Sequence, residues 1–373
     1  MRIGVNTRLL LEGRMDGIGW FAYETLRRMV SYHPEHEFFF FFDRKPSQQF
    51  LFADNVTPVV VNPPARHPIL WWLFFEVGIA RAIKKHNIEL FLSPDGFIPL
   101  HSKVRTIDVI HDINFAHFSN NMRWSHQRYM EYFFPKYARK ATHVVTVSGY
   151  SKRDIADTYG VDGAKISVVY NGAGMAYKPL SESKKQTIRS KYSGGKPFFL
   201  FVSTILRRKN LANLLKAFDL VRESKDYKLV VVGAKVWWKA ELKSAYNCMN
   251  HSDDVIFIGR AEADELSKLM SSATALVYPS FFEGFGIPIV EAFNAETAVI
   301  TSNTSSMPEV AGDAALLVNP HNVNEISNAM LQLVENHHLR ESLIERGRER
   351  RKLFSWDKAA DELWAVLLDV TKG

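Results

Sequence analysis

Two glutamates with seven residues between them, Glu283 and Glu291, lie where an apolar segment runs into a glycine-bearing loop. Proline is favoured at the first helical position, so Pro288 predicts a helix start with Glu291 in its first turn and Glu283 in the preceding loop. Gly284 and Gly286 remove side chains where a backbone approaches a ligand, and the N–H groups of a helix start can bind an anion. The spacing predicts a site for a phosphorylated ligand, with one carboxylate for each of two polyhydroxylated parts.

Two adjacent cations, Arg208 and Lys209, follow a predicted strand and stand at the start of a predicted helix. Cations beside backbone N–H groups suit a diphosphate, because both fields stabilise the same negative charge. They would also stabilise the charge that builds on a diphosphate as it leaves a sugar. Treating Lys209 as an exposed side chain, we expect Lys209→Ala to abolish donor turnover and to leave thermal stability nearly unchanged.

The first half of the chain carries a second group of candidates. Gly17 and Gly19 precede the first predicted helix, where glycines let a backbone approach a ligand. His111 and Asp112 end an apolar strand, which is where α/β proteins collect their site residues. Asp112 either orients the imidazole of His111 or accepts a hydrogen bond from a bound hydroxyl, and both roles stay open.

The sequence contains no D-x-D type pair of carboxylates at the end of a strand and no Cys/His cluster typical of zinc. Asp253 and Asp254 are adjacent, but they precede a predicted strand. Since Arg208 and Lys209 already supply positive charge, we expect no metal and no cofactor.

Composition describes a globular protein of two domains: 373 residues, 46% hydrophobic and 23% charged, with the single cysteine Cys248. Residues 1–180 carry 22 Lys+Arg against 16 Asp+Glu, a net +6, and the remainder carries 25 against 24, a net +1. The basic first half is either a solvated surface or a surface for anionic lipid or a diphosphate-linked acceptor. Nucleic acid is not expected, because the basic residues are scattered and no binding motif is present.

The apolar run over residues 69–75 is far shorter than the roughly 20 residues of a membrane span. No basic-then-apolar leader opens the chain, so we expect a cytoplasmic protein with at most peripheral contact with an anionic membrane. The pairs Trp71-Trp72 and Phe74-Phe75 are either core or a membrane-contact face. Trp237-Trp238 are either core or a lid over a bound base.

Strands alternate with helices along the whole chain. Strands are predicted at 2–6, 37–42, 57–61, 90–93, 104–110, 143–147, 166–170, 198–202, 228–232, 255–258, 275–278, 298–301 and 315–318. Helices are predicted at 19–32, 70–86, 125–138, 150–159, 210–223, 238–247, 263–272, 288–293 and 323–336, with a helical tail over 339–370. A polar, breaker-rich stretch at 178–197 predicts a linker with at most one short helix. This alternation predicts two doubly wound parallel sheets of the α/β class.

Seven further segments, taken in chain order with the glutamates, resemble the motifs of the retaining, nucleotide-sugar-dependent glycosyltransferases of family 4. They are Gly17-Ile-Gly19, Ile110-His-Asp112, Thr146-Val-Ser148, Ser151-Lys152, Val169-Tyr-Asn-Gly172, Arg208-Lys-Asn210 and Met307-Pro-Glu-Val310. The matches extend from about residue 3 to about residue 335. The resemblance implies the GT-B fold, with two Rossmann-like domains and a cleft between them. It places an acceptor-side domain at 1–180, a donor-binding domain at 181–355, and a last helix at about 356–373 that packs back on the first domain.

The resemblance also implies roles for the candidates. Arg208 and Lys209 would bind the donor diphosphate, Glu291 the ribose hydroxyls and Glu283 the transferred sugar. His111 would contact the donor sugar or the acceptor. Donor contacts are also implied for Gly17, Gly19, Gly284, Phe285, Gly286 and Ile287. One departure is Ser203, near the place where the family often has a glycine.

The function expected from this resemblance is metal-independent transfer of a sugar, with retention, to a polysaccharide or a lipid-linked oligosaccharide. The segment Leu206-Arg-Arg-Lys-Asn210 resembles the mannosyltransferase branch, so GDP-mannose is the first donor expected and a UDP-sugar the next. A non-catalytic nucleotide-sugar-binding protein on the same fold is one alternative. An NAD(P)-dependent oxidoreductase is another, but it should show G-x-G-x-x-G, and Ala22 occupies the last of those positions after Gly17.

Overall fold

The computed structural model describes residues 1–118, 122–174, 176–234 and 240–372. It divides into two compact units, one of Met1–Asn171 with Trp356–Gly373 and one of Gly172–Ser355. The second unit therefore begins at residue 172, whereas the second domain was expected to start at residue 181. Trp237 and Trp238 lie outside the described residues.

Each unit contains one sheet in which every strand pair is parallel. The first sheet contains β1 (Arg2–Asn6), β2 (Glu37–Phe42), β3 (Val56–Val60), β4 (Leu90–Ser93), β5 (Arg105–Val109), β6 (His143–Thr146) and β7 (Ile166–Val168). The second contains β8 (Phe198–Val202), β9 (Lys228–Val232), β10 (Val255–Gly259), β11 (Ala275–Tyr278), β12 (Ala298–Ser302) and β13 (Leu316–Val318).

The strand orders are β3-β2-β1-β4-β5-β6-β7 and β10-β9-β8-β11-β12-β13. In each sheet the chain first builds outward in one direction and then returns to the centre to build in the other. The predicted fold class, two doubly wound parallel sheets, is therefore confirmed. The switch points lie between β1 and β4 and between β8 and β11, and ligands of such sheets bind at the carboxyl ends of the strands there.

Fifteen α-helical segments lie in the described residues. They are α1 (Gly17–Tyr32), α2 (Pro68–Leu73), α3 (Ala80–Lys85), α4 (Asn114–His117), α5 (Trp124–Lys140), α6 (Gly149–Tyr159), α7 (Glu182–Ser193), α8 (Leu211–Arg222), α9 (Ala240–Asn247), α10 (Ala263–Ser272), α11 (Ile287–Asn294), α12 (Met307–Ala311), α13 (Val323–Glu335), α14 (His337–Arg350) and α15 (Trp356–Lys372). None of these helices combines the length and the apolar character that crossing a bilayer requires.

The aromatic strand β2 explains why helices cover both faces of the first sheet. All five phenylalanines of β2 are buried, although successive side chains of a strand point to opposite faces. A strand that is apolar on both sides needs cover on both sides. Phe74 and Phe75 supply part of that cover in a π-helical turn between α2 and α3. For these two residues the membrane-contact reading is wrong, because both are completely buried in the core.

The last helix, α15, packs on α1 in the first unit, as the resemblance implied. Arg28 donates from Nε to Asp357 at 2.6 Å, and the His33 ring stacks on Trp364 with centroids 3.8 Å apart. Leu363 and Leu367 are fully buried on the inner face of α15. The end of the chain is thus part of the core of the unit in which the chain begins.

Candidate functional site

The turn between β8 and α8 carries the two predicted cations. Residues Arg207–Lys209 form one 3₁₀ turn, which ends at Asn210 with a φ of 60°. The Asn210 Nδ2 donates to the carbonyl of Pro279 at 2.9 Å, and the Phe281 N–H donates to the carbonyl of Arg208 at 2.8 Å. Both bonds join this turn to the loop that follows β11. Since β8 and β11 are neighbours at the switch point, the sheet itself brings the two segments together.

Glu283 of that loop lies between the two cations. Its Oε2 accepts from Arg208 Nη1 at 2.9 Å, and its Oε1 accepts from Lys209 Nζ at 2.5 Å. Tyr278 joins the group, because its hydroxyl donates to Glu283 Oε1 at 2.8 Å and accepts from Lys209 Nζ at 2.8 Å. We name these four residues the glutamate cluster. The sequence predicted three of its members but not Tyr278, which reads as the last residue of an apolar strand.

The electrostatics of the glutamate cluster keep Glu283 ionised. Burial alone would favour the neutral carboxyl, but the charges of Lys209 and Arg208 outweigh it and lower the pKa of Glu283 to about 2. Burial, with the nearby charge of Glu283, raises the pKa of the Tyr278 hydroxyl well above its usual value, so it stays protonated. Lys209 is only 8% exposed. The expectation of an exposed lysine is therefore wrong.

A run of hydroxyl side chains at the end of β12 and directly after it holds the loop that carries Glu283. Ser306 is fully buried, and its Oγ lies 2.8 Å from the carbonyl oxygen of Glu283 and 3.0 Å from that of Phe285, donating to both. The Glu283 N–H donates to Ser305 Oγ at 3.1 Å. Three more hydroxyls donate to carbonyls of the same loop: Thr301 to Tyr278, Ser302 to Ser280 and Thr304 to Phe281. We name these five residues the hydroxyl ladder. Sequence reasoning missed it, although the run Thr301-Ser-Asn-Thr-Ser-Ser306 was a visible signal.

Gly286 and the helix α11 position the second glutamate. Gly286 has a φ of 104°, a conformation that favours glycine, and α11 begins at the next residue, Ile287. With that start Glu291 is the fifth helical residue, and the first turn contains no acid. The prediction that Glu291 lies in the first turn is therefore wrong. Phe285, which precedes the glycine, is buried with its ring edge-on to Phe354, so its side chain is part of the core.

Glu291 is partly buried, and burial raises the pKa of its carboxyl to about 7. A hydrogen bond from the Tyr177 hydroxyl acts in the opposite direction. Two buried serines of α10 hold the chain on either side of Tyr177: Ser267 donates to the carbonyl of residue 176 at 2.6 Å, and Ser271 to that of residue 178 at 2.7 Å. The carboxyl beside Tyr177 thus changes its ionisation near neutral pH.

In the first unit the two glycines lie inside α1 rather than before it. The helix begins at Gly17, and the side chain of Asp16 caps it by accepting from the Gly19 N–H at 3.0 Å. A Cβ at Gly19 would lie 3.1 Å from the carbonyl oxygen of Leu9, so close packing accounts for this glycine. One of the donors that we expected to face a ligand is therefore already bonded to a carboxylate.

His111 lies just after β5, beside the switch point of the first sheet. Its Nε2 lies 2.9 Å from the carbonyl oxygen of Pro94 and donates to it, which leaves Nδ1 as an acceptor. Burial lowers the pKa of His111, so the imidazole is neutral at neutral pH. Asp112 accepts from the N–H of Asn114 at 2.9 Å. The carbonyl of Pro94, not Asp112, is thus the group that orients the imidazole.

A buried polar cluster at the same switch point was not predicted. Arg8 Nε donates to Asp95 Oδ2 at 2.6 Å, and Asn6 Nδ2 donates to Asp95 Oδ1 at 2.7 Å and to Ser93 Oγ at 3.0 Å. The Arg8 guanidinium lies 4.3 Å from the centre of the Phe97 ring. The signal was present, since polar residues directly follow the apolar strands β1 and β4.

The chemistry available at the glutamate cluster is attraction of an anion. The glutamate cluster contains two cations and one carboxylate and therefore keeps a net positive charge beside the start of α8. Within the ranges that the structure describes, no three His, Cys, Asp or Glu side chains converge in an arrangement that could hold a metal ion.

Comparisons with known proteins match both units. Residues 15–174 match the profile described as Glycosyltransferase Family 4, and residues 183–350 match that of Glycosyl transferases group 1. O-antigen chain mannosyltransferase B of Escherichia coli is 28% identical over 76% of this chain and 75% of its own. O-antigen chain mannosyltransferase RfbU of Salmonella typhimurium is 32% identical over 68% of this chain and 67% of its own. The structure of Anabaena Alr3699/HepE in complex with UDP-glucose superposes with a TM-score of 0.76 at 16% identity, covering 99% of this chain and all of that one, a likeness of fold.

Proposed function

This chain belongs to the group 1, family 4 glycosyltransferases, and we propose that it moves a sugar from a nucleotide-sugar donor to a saccharide acceptor, with retention of configuration and without a metal. The observation that carries the proposal is the glutamate cluster. It joins the two cations expected at a diphosphate with the carboxylate expected at the transferred sugar, at the switch point where such sheets bind ligands.

Arg208 and Lys209 bind the donor diphosphate in this proposal. Their two positive charges exceed the single charge of Glu283, so an anion is attracted to the cluster even while the carboxylate is paired. As the bond between sugar and phosphate breaks, negative charge grows on the leaving diphosphate. Cations that are already fixed by Glu283, Tyr278 and the backbone stabilise that charge without reorganising.

Glu283 and Glu291 hold the two polyhydroxylated parts of the donor. The Glu283 carboxylate accepts hydroxyls of the transferred sugar, and Glu291 accepts both hydroxyls of the ribose, a pairing that a carboxylate can make. The backbone N–H groups of Gly284, Phe285, Gly286 and Ile287 contribute further donor contacts. The positive φ of Gly286 supports this, because it sets the direction of the backbone at the start of α11.

The residues of the first unit contact the acceptor and the sugar. Gly17 and Gly19 let the backbone at the start of α1 come close to the donor, with the Gly19 N–H itself bonded to Asp16. The neutral His111, with Nδ1 as acceptor, binds a hydroxyl of the donor sugar or of the acceptor. Asp112 is an acceptor-side candidate. The leaving phosphate takes the proton of the attacking hydroxyl on the same face of the sugar, and retention follows from that geometry.

GDP-mannose is the first donor proposed, with a UDP-sugar second. Two relatives are mannosyltransferases of O-antigen chains, and the segment Leu206–Asn210 supports the same branch. HepE in complex with UDP-glucose supports the second candidate. The proposed acceptor is a growing surface polysaccharide or a lipid-linked oligosaccharide. The proposed place of action is the cytoplasm, in peripheral contact with an anionic membrane, which the net +6 of residues 1–180 supports.

The test is to incubate the protein with GDP-mannose, or with a UDP-sugar in a parallel reaction, together with lipid-linked oligosaccharide from bacterial membranes, in the presence and absence of EDTA. We expect release of one nucleoside diphosphate, an α-linked product from an α-linked donor, and rates that EDTA does not change. A rate abolished by EDTA would contradict metal independence. Tight donor binding with no product from any acceptor would instead support the non-catalytic alternative.

A further inference from the structure

One line of side chains on α5 alternates aromatic and cationic residues. Trp124, Arg128, Tyr132 and Lys136 are spaced by four, so they follow one another along one face of the helix. Arg128 lies 5.9 Å from the centre of a Trp124 ring, and Lys136 Nζ lies 3.4 Å from the centre of the Tyr132 ring. Trp124 is 75% exposed and Tyr132 is 60% exposed. We name these four residues the α5 stripe.

The short helix α2, which packs on α5, carries two more exposed apolar side chains. Trp71 packs on His126 and Tyr129 of α5, with ring centroids 4.8 and 5.3 Å away, and so places α2 next to α5. On α2 itself Ile69 is 67% exposed and Trp72 is 39% exposed. The α5 stripe with Ile69 and Trp72 is named the aromatic surface.

The surroundings of the aromatic surface are strongly basic. Residues 122–140 contain five Lys+Arg and one acid, Glu131, for a net +4. Residues 64–86 contain four Lys+Arg and one acid, for a net +3, and that acid, Glu76, is buried against His101. The two segments that carry the aromatic surface therefore hold the net positive charge of the first half of the chain.

The rest of the described chain offers no comparable surface. Every exposed large aromatic side chain in the described ranges belongs to the first unit, and three of the five, Trp72, Trp124 and Tyr132, lie in the aromatic surface. In the second unit the exposed large apolar residues that the structure describes are single leucines, Leu220, Leu317 and Leu353. Single exposed leucines are normal, whereas grouped tryptophans are not.

We propose that the aromatic surface docks this protein on an anionic lipid membrane. Tryptophan and tyrosine favour the headgroup region, where the ring meets apolar chains and the N–H or O–H meets water. The interleaved Arg128 and Lys136 pair with lipid phosphates, and each basic residue near such a surface strengthens binding. The inference rests on the membrane contact proposed above and adds the surface that makes it. It does not depend on the sugar transferred.

The test is flotation of the purified protein with vesicles of phosphatidylcholine, with or without phosphatidylglycerol, at low and high salt and without any sugar nucleotide. We expect flotation only with phosphatidylglycerol, weakened by salt because surface charges are screened. Tyr132→Ser and Trp124→Ser should each weaken binding about tenfold. The double variant Arg128→Gln/Lys136→Gln should weaken it on the order of thirtyfold, about fivefold for each charge.

Matched controls separate this surface from general effects. Tyr32→Ser changes an equally exposed tyrosine of the first unit, 53% exposed, and Lys184→Gln/Lys216→Gln removes two exposed charges of the second unit. Both controls should bind vesicles like the wild type.

If the surface variants also float like the wild type, the proposed surface is wrong while the membrane contact stands. If the wild type does not float, both are wrong. If the surface variants instead dissociate a dimer in analytical ultracentrifugation, the surface joins two copies and the proposal fails. The affinity for a nucleoside diphosphate should be the same in every variant as in the wild type, which would show that the donor site is intact.

Discussion

Lys209 supports the fold as well as the proposed reaction. Lys209→Ala leaves the buried Glu283 with Arg208 as its remaining cation, and breaking a buried ion pair costs about 3–5 kcal/mol of stability. We therefore expect loss of donor turnover together with a clearly lower free energy of unfolding, measured by urea denaturation. The matched control is Arg207→Ala. That exposed neighbour pairs with the exposed Glu241, so stability should change by less than about 1 kcal/mol and turnover should persist. A stable or fully active Lys209→Ala protein would contradict this account.

The ionised carboxylate of Glu291, which we propose binds the ribose, should destabilise the folded protein above neutral pH. The pKa of its carboxyl is about 7 in the folded protein against an ordinary value of 4.5, so the folded state holds the proton more tightly. The stability contributed by this group is fully present below pH 4.5 and is lost as the pH rises through about 7. Glu291→Gln, which cannot ionise, should therefore be more stable than the wild type at pH 8, by about 1–2 kcal/mol.

The same substitution should weaken nucleotide binding. A carboxylate is a stronger acceptor than an amide, so Glu291→Gln should lower the affinity for a nucleoside diphosphate about tenfold at pH 8. The ratio of the two affinities should shrink as the pH falls below 7 and Glu291 becomes protonated. Because both proteins bind the same nucleotide, titration of the nucleotide itself does not change the ratio of their affinities. A constant ratio between pH 6 and pH 8 would remove the ribose role.

For individual residues, the sequence predicted the types of the reacting groups but not their contacts. Arg208, Lys209 and Glu283 were recognisable from charge and position. Their direct pairing was not, because it depends on β8 and β11 being neighbours although two strands lie between them in the chain. The burial of Lys209 follows from that pairing and was missed with it.

The loop after β11 is positioned by the hydroxyl ladder, which begins in the last two residues of β12 and continues beyond it. Ser306→Ala removes the hydroxyl that bonds the carbonyls of Glu283 and Phe285, and leaves both acceptors buried. We expect a loss of about 1–3 kcal/mol in stability, and a fall in kcat of at least about tenfold, because small displacements of a reacting group are costly. KM for the donor should change less.

A buried serine elsewhere in the second unit provides a control. It separates the effect of Ser306 on the position of Glu283 from its effect on the stability of the fold. Ser327 is buried and donates to the carbonyl of Asn324, so Ser327→Ala removes a comparable bond within α13. It should lower stability by a similar amount and leave kcat unchanged. Equal effects of the two substitutions on kcat would mean that the ladder only stabilises the fold.

Elements with a clear period were predicted closely, and short ones were not. β8, β9, β11 and α10 have the predicted bounds. The apolar runs of the three strands begin and end sharply, and α10 shows a helical period. The four-residue α4 and the five-residue α12 are too short to show a helical period. Glu291 was placed in the first turn because the helix was expected to start at Pro288. Instead α11 starts one residue earlier, at Ile287, directly after Gly286 with its positive φ.

The whole molecule contains two cores, and the chain returns to the first at its end. Trp364→Ala removes a buried ring that stacks on His33, at a cost of about 3–5 kcal/mol. Because α15 belongs to the first unit, calorimetry should show two transitions, with only that of the first unit lowered. Leu343→Ala in α14 should lower only the other. A single transition lowered by both would contradict independent cores.

At the scale of the molecule, alternation of strands and helices predicted two doubly wound sheets, because each βαβ unit has its own local pattern. The packing of α15 on the first unit was predicted from the family resemblance alone. A helix period shows which face is buried but not what covers it, so the Arg28–Asp357 pair could not be read from the chain. The membrane-contact reading failed at Phe74 and Phe75 for the same reason.

The most direct test of the central claim is calorimetric titration of the wild-type protein with GDP, UDP and ADP at pH 8 without added metal, repeated with Glu291→Gln. We predict that one of the three nucleotides binds with one site per chain, with GDP expected first, and that Glu291→Gln weakens that binding about tenfold. Equal binding of that nucleotide by the wild type and Glu291→Gln, or binding of none of the three by the wild type, would contradict a donor site built on the two glutamates.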